Sequence, residues 1–325
     1  MKSLDFGRYV LGGVALAAML AGCGGSQPPI GAPRAMPQSR AIATRAKHGG
    51  SWMAPDASKH DLLYVTNNYD VTVYSFPRGR LVGTLKHHFF RPVTECSDKA
   101  GNVYVTDGDN VFIYAHGGKK PFRTLTYSGA LTVGCSSDPT TGNLAVTYEF
   151  GFSRAYVAVY KDASGSPALY QSGNLIFAYC GYDATGNLYV DGTYGSGEDF
   201  GFVELPKGGS ALKLITLNQS FQNPGIVQWD GKYITVGDNT ADNIYRFTFS
   251  GSRGTLVGTT NLAGAYGMLQ WWIEGDKVVG GNGNSPPAVN YWDYPAGGNP
   301  IKTITKGMLY PDGATISHAS KAGNG

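Results

Sequence analysis

The chain has 325 residues, with 26 Lys and Arg against 23 Asp and Glu, and only 15% of its residues carry charge. That share is well below the usual quarter, while the 47 glycines are about twice the average, a balance that suits strands and tight turns rather than long helices. Once the first 58 residues are set aside, 20 Lys and Arg face 21 Asp and Glu, and a body this close to neutral argues against a nucleic-acid partner.

Residues 1–22 read as a signal peptide. Lys2 and Arg8 precede an apolar run, Tyr9–Leu20, that is too short to span a bilayer comfortably. The following Leu20-Ala21-Gly22-Cys23 is similar to a bacterial lipobox. That resemblance implies a lipid on Cys23, which becomes the mature N-terminus and ties an exported protein to the cell envelope, on its periplasmic or surface side. The alternative is an ordinary signal peptide with a chance cysteine. Gly24 rather than Asp follows, so no inner-membrane retention cue is present.

Residues 23–58 read as a disordered tether. Arg34, Arg40, Arg45 and Lys47 stand against one acid, Asp56, among Pro, Gly, Ala and Ser, a composition that cannot bury enough surface to fold alone. The bases could lean on anionic headgroups, or the segment is a plain spacer. Trp52 and Met53 are expected to pack onto the folded domain that follows.

Residues 59–325 are a repeat. Pro92–Leu125 reads as four short strands joined by turns, and a Gly-Asn pair, Gly101-Asn102, marks the first turn. That glycine recurs as Gly142, Gly186, Gly231 and Gly275, at spacings of 41, 44, 45 and 44 residues. A β-branched second strand follows each one, as in Gly101–Val105 and Gly186–Val190. A lone four-stranded meander cannot bury both faces, whereas a ring of copies can. The 267 residues from Lys59 onward hold six such units. The first copy lacks an inner strand and Tyr310–Ser317 is a lone one. The expected fold is therefore an all-β, six-bladed β-propeller of four-stranded antiparallel blades, closed by a C-terminal strand that completes the N-terminal blade.

The segment PVTECSDKAGNVYVTDGDNVFIYAHGG from Pro92 resembles an NHL repeat, and so the six-bladed TolB-like propellers. The likeness is strongest in the second blade, and in the last two only the turn remains. It implies a module that binds ligands or scaffolds other proteins. A minority of related propellers, lactonases and lyases, use metal-dependent chemistry.

Motifs for that chemistry are sparse: the chain has no G-x-S-x-G, H-E-x-x-H, phosphate-binding glycine loop or C-x-x-C. What stands out is a set of polar residues in the loops leaving the second strands, including Asn67, Asp107, Glu149, Asp191, Asp238 and Asn239, around one mouth of the central channel. The longest of these loops, the glycine-rich Asp191–Gly201, adds Glu198 and Asp199, beside Tyr194 and Phe200. Together these carboxylates form a candidate acidic, aromatic-edged lip for a cation, a basic peptide or a polyhydroxyl ligand. The plainer reading is that each one only bonds its own turn. No cofactor is called for beyond the Ca2+ that converging carboxylates could hold. The leading function is a lipid-anchored envelope module, a monomer, for a protein, peptide or carbohydrate partner. The alternative is a metal-dependent hydrolase or lyase. Strand parity counted from the strand-end aspartates turns Cys96 toward Cys135, while Cys135 and Cys180 face the same way round the ring, so Cys96–Cys135 is the expected disulfide.

Overall fold

In the computed structural model, the described residues are 50–151, 154–195, 199–265, 268–283 and 286–320. Cys23 and the rest of the leader, most of the tether, and Glu198 lie outside them. The described chain forms six sheets, each built on a four-stranded antiparallel meander, arranged as a six-bladed β-propeller. Blades 2 to 6 begin with inner strands Pro92–Ser97, Leu131–Ser137, Leu175–Tyr182, Pro224–Trp229 and Trp271–Glu274. Blade 1 takes its inner strand from the C-terminus, where Pro311–Ser317 pairs antiparallel with Leu62–Asn67. Trp52 and Met53 pair with Thr84 and Gly83, which makes them a fifth, outermost strand of blade 1.

The repeated turn explains why this sequence makes blades. At the end of an inner strand, Asp98 Oδ1 accepts the N–H groups of Ala100 and Asn102, and Oδ2 accepts the Asn102 amide and the Tyr104 hydroxyl. Asp183 does the same for Thr185 and Asn187. The glycine between them has positive φ, +82° at Gly101 and +91° at Gly186, a region in which a side chain is strained. Beyond the turn the second strands are buried over most of their length, and wholly so at Val103–Asp107 and Ile234–Asp238. Sheet faces press on the neighbouring blades, so apolar residues run on without alternation. Tyr64, Tyr148, Phe202, Phe247, Trp271 and Trp292 fill the layers between blades.

Each of blades 1 to 5 has a register shift between its inner and second strands. Such a bulge frees a backbone N–H. In three blades a threonine near the end of the second strand accepts it: Gly313 N–H bonds Thr66 Oγ1 at 2.7 Å, Thr94 N–H bonds Thr106 at 3.2 Å, and Gly134 N–H bonds Thr147 at 2.8 Å. Thr66 and Thr147 then donate to carbonyls of the next blade, Val93 and Ala178. These bonds stitch neighbouring blades around the channel.

Cys96 and Cys135 are joined by a disulfide between blades 2 and 3, and Cys180 is a buried free thiol. The stretch Asp191–Gly201 departs from its expectation as one long loop. Leu188–Tyr194 and Asp199–Leu205 are paired strands out to Tyr194 and Asp199, so the blade 4 hairpin is long because its strands are long.

Candidate functional site

The second strands end at one mouth of the channel, where the inner strands begin. Asp107 accepts N–H groups from Phe90 at 2.9 Å and Arg91 at 2.6 Å, in the loop that leads into its own blade. Asp238 accepts Gln222 and Asn223 in the same way, and also Thr240 and Ala241 of its own turn. Asn67 receives Leu309 and Tyr310. These side chains hold the inter-blade loops against the second strands. Burial pushes the Asp107 carboxyl up, opposed by the two N–H bonds.

Asp191 sits deeper. It takes the place that threonine has in blades 1 to 3, and its carboxylate accepts Tyr179 N–H at 2.7 Å and Gly225 N–H of blade 5 at 3.1 Å. It is fully buried, and desolvation raises its pKa well above the usual carboxylate range despite those bonds. Sequence reasoning placed Asp191 on a loop. The signal that relocates it is the aligned series Val65-Thr66, Val105-Thr106, Val146-Thr147 and Val190-Asp191.

Around the Tyr179 hydroxyl the mouth is acidic. Burial raises the Tyr179 pKa first, and the charges of Asp191, Glu149 and Asp312 raise it further. Glu149 is half-buried and its carboxyl is pushed up by desolvation alone. Asp312 is also raised by burial, against the pull of Arg91, whose guanidinium lies 3.6 Å away. Asn239 donates to the Tyr179 hydroxyl, and its Oδ1 is buried with no hydrogen-bond partner. The structure thus gathers Glu149, Asp191 and Asn239 of the sequence-derived polar set with Tyr179 and Asp312, which that set lacked. Asp107 stands on blade 2, and Asp199 is exposed on the blade 4 hairpin. Among the described residues no three His, Cys, Asp or Glu side chains converge as a metal site.

Deeper in the channel, the side-chain amide of Gln270 reaches from blade 6 past blade 1 and pairs with the backbone of Glu95 in blade 2. Glu95 N–H bonds its Oε1 at 2.8 Å, and its Nε2 donates to Glu95 C=O. Gly313 makes room, since a Cβ there would lie 2.6 Å from Gln270 Oε1. Gln228 clamps Ile273 of blade 6 by the same geometry. On the far side from the mouth, a cavity of about 250 Å³ reaches Gln270 between Trp229, Trp272 and Tyr182.

Fold and channel together define a six-bladed propeller whose mouth is polar. No family of known sequences matches the chain, and no curated protein does. Solved structures do. A chain of the nidogen/laminin complex superposes with TM-score 0.64 at 14% identity, over 80% of this chain and 99% of that one. A protein of unknown function from Bacteroides caccae gives 0.56 at 12%, over 79% and 99%. The β-propeller domain of Myceliophteria thermophila Cps50 (Swd1) gives 0.54 at 12%, over 82% and 89%. At such identities the likeness is one of fold.

Proposed function

We propose that this chain is an exported, lipid-anchored binding or scaffold propeller of the NHL kind, held at the cell envelope through Cys23 and presenting its channel mouth to a cationic ligand or a basic peptide. The observation that carries the reading is the state of the mouth. Asn67, Asp107 and Asp238 fix the surrounding loops, and the carboxyls of Glu149 and Asp312 lie close enough to Tyr179 to act on its hydroxyl. A preorganised concave site loses less on binding than a mobile one. The anchor rests on the lipobox-like Leu20–Cys23.

Two measurements test it. A labelled tri-arginine peptide should bind the protein saturably, and Glu149→Gln combined with Asp312→Asn should weaken that binding; equal affinity refutes the mouth. Cys23→Ser should move the expressed protein out of the detergent phase, and unchanged partitioning refutes the anchor.

A further inference from the structure

Blade 4 is built differently at its outer edge. Its fourth strand, Lys213–Leu214, pairs with the third only at Glu204 and Val203, and one more bond follows, Ile215 N–H to Phe202 C=O. The chain then leaves for blade 5. There Thr216 and Leu217 run parallel to Arg253 and Gly254, against the antiparallel grain of the blades. Thr216 N–H and Asn218 N–H bond Ser252 C=O and Gly254 C=O, and the Asn218 side chain accepts Leu256 N–H at 2.7 Å. These bonds hold the departing segment on blade 5.

Its departure leaves Asp199–Gly201 of the third strand with no ladder partner on the outer side, among the described residues. Blade 2 shows what would otherwise be there, for its outer strand covers the third from Ile113 out to Asn110. Blade 3 also leaves Arg154–Tyr156 uncovered, but in blade 4 the departing chain forms a facing wall. Between edge and wall lies a slot of about 420 Å³, with Phe200, Phe221, Leu214 and Leu217 as its apolar sides and Asp199 as the one charged residue among the described ones that line it. Phe221 stacks on Phe200 with ring centroids 4.0 Å apart.

The direction of the free groups follows from the bond that is made. Phe202 C=O points out of the blade toward Ile215, and in a strand the carbonyl two residues back points the same way. Phe200 therefore offers its carbonyl to the slot. An exposed, uncovered edge is a template for another strand.

We propose that this edge accepts an extended segment of a partner polypeptide as an added antiparallel strand, with an apolar residue opposite Phe200 and a basic residue opposite Asp199. The orientation continues that of Lys213–Leu214. The apolar residue falls on the face where Phe200 meets Phe221, and the basic residue answers the Asp199 carboxylate. This deepens the binding-module reading at a place other than the mouth, and the two are tested with different probes and different variants.

The test uses the full-length protein and a labelled acetyl-Thr-Val-Leu-Lys-Thr-amide peptide, read by fluorescence polarisation. Saturable binding is expected, and methylating the Leu nitrogen, which removes the N–H but keeps the side chain, should weaken it about tenfold or more, the loss of one ladder bond. Asp199→Lys, an exposed change, should weaken the Lys peptide and restore affinity for the same peptide carrying Glu in place of Lys. Three results would each overturn the proposal. They are absence of saturable binding, equal binding of the methylated peptide (a slot that takes small apolar ligands by side chain alone), and an Asp199→Lys protein that treats both peptides as the parent does.

Discussion

Blades 2 and 4 share the same Asp-x-x-Gly-Asn turn and the same buried second strand, yet each hides a carboxyl in a different way. Asp191 of blade 4 accepts two backbone N–H groups, one from the neighbouring blade. Glu95 of blade 2 is equally buried, and neither of its carboxyl oxygens has a hydrogen-bond partner. Desolvation raises its pKa well above the usual carboxylate range, and the backbone groups of Thr66 and Thr315 oppose that rise without reversing it. The outer edges differ in the opposite sense, complete in blade 2 and abandoned early in blade 4. A buried carboxyl can thus be a structural rivet or an unpaired burden, and the repeat alone does not say which.

The largest expected effect tests the ring that both blades depend on. Removing residues 310–325 takes away the inner strand of blade 1 and its bonds to blade 2, such as Ser97 Oγ to Ile316 C=O. It should abolish the cooperative thermal transition, whereas removing residues 24–49 should leave the midpoint within a degree or two. A C-terminal truncation that melts like the parent would show that the ring closes without the strand.

Next come the two carboxyls, with opposite signs. Asp191→Ala strands two buried N–H groups and should cost roughly 2–6 kcal/mol in denaturant melts, at about 1–3 kcal/mol each. Asp191→Thr should recover part of this, because threonine serves at that place in blades 1 to 3. Glu95→Met removes an unpaired buried acid at similar volume and should stabilise by about 1–3 kcal/mol near neutral pH. The sign with pH follows from linkage. The folded carboxyl titrates well above the unfolded 4.5, so stability is full below that pH and falls as pH rises through the folded value. Glu95→Met should flatten that fall. A destabilised Met variant would mean that the carboxyl has a partner in solution.

The smallest effect lies where the C-terminal strand ends. His318 bridges Glu274 of blade 6 at 3.3 Å and Asp61 beside blade 1 at 3.4 Å. The hydrogen bond to Glu274 leads in raising its pKa to about 9 from 6.5. Its contribution is full below pH 6.5 and lost as pH rises toward 9. The side chain is nearly half exposed, so His318→Gln should cost under ~1 kcal/mol at pH 6 and nothing measurable at pH 10. A cost that does not change with pH would assign His318 a packing role.

The candidate site was partly legible in the sequence. Asp107 and Asp238 stand out as polar residues at the strand ends. Their partners do not, because the N–H groups they accept lie 16 and 17 residues back for Asp107 and 15 and 16 back for Asp238, across the whole inner strand. A turn-by-turn reading expects an Asx side chain to bond its immediate neighbours, and only Asp238 also does so. Asp199 and Phe200 were legible as a lip, but the slot beside them was not. Nothing in Lys213–Leu217 signals that the chain changes blades.

By itself the sequence determined the period, the turn and the closing strand. Each depends on local chemistry, namely an aspartate that caps its own turn, a glycine that tolerates positive φ, and a β-branched run that must be buried on both faces. The tertiary structure alone decided the rest. Gln270 meets Glu95 across 175 residues, and Thr216 leaves blade 4 because bonds to Ser252 and Gly254 hold it on blade 5. Such contacts depend on which blade stands beside which and at what height along the channel. That geometry exists only once the ring has closed.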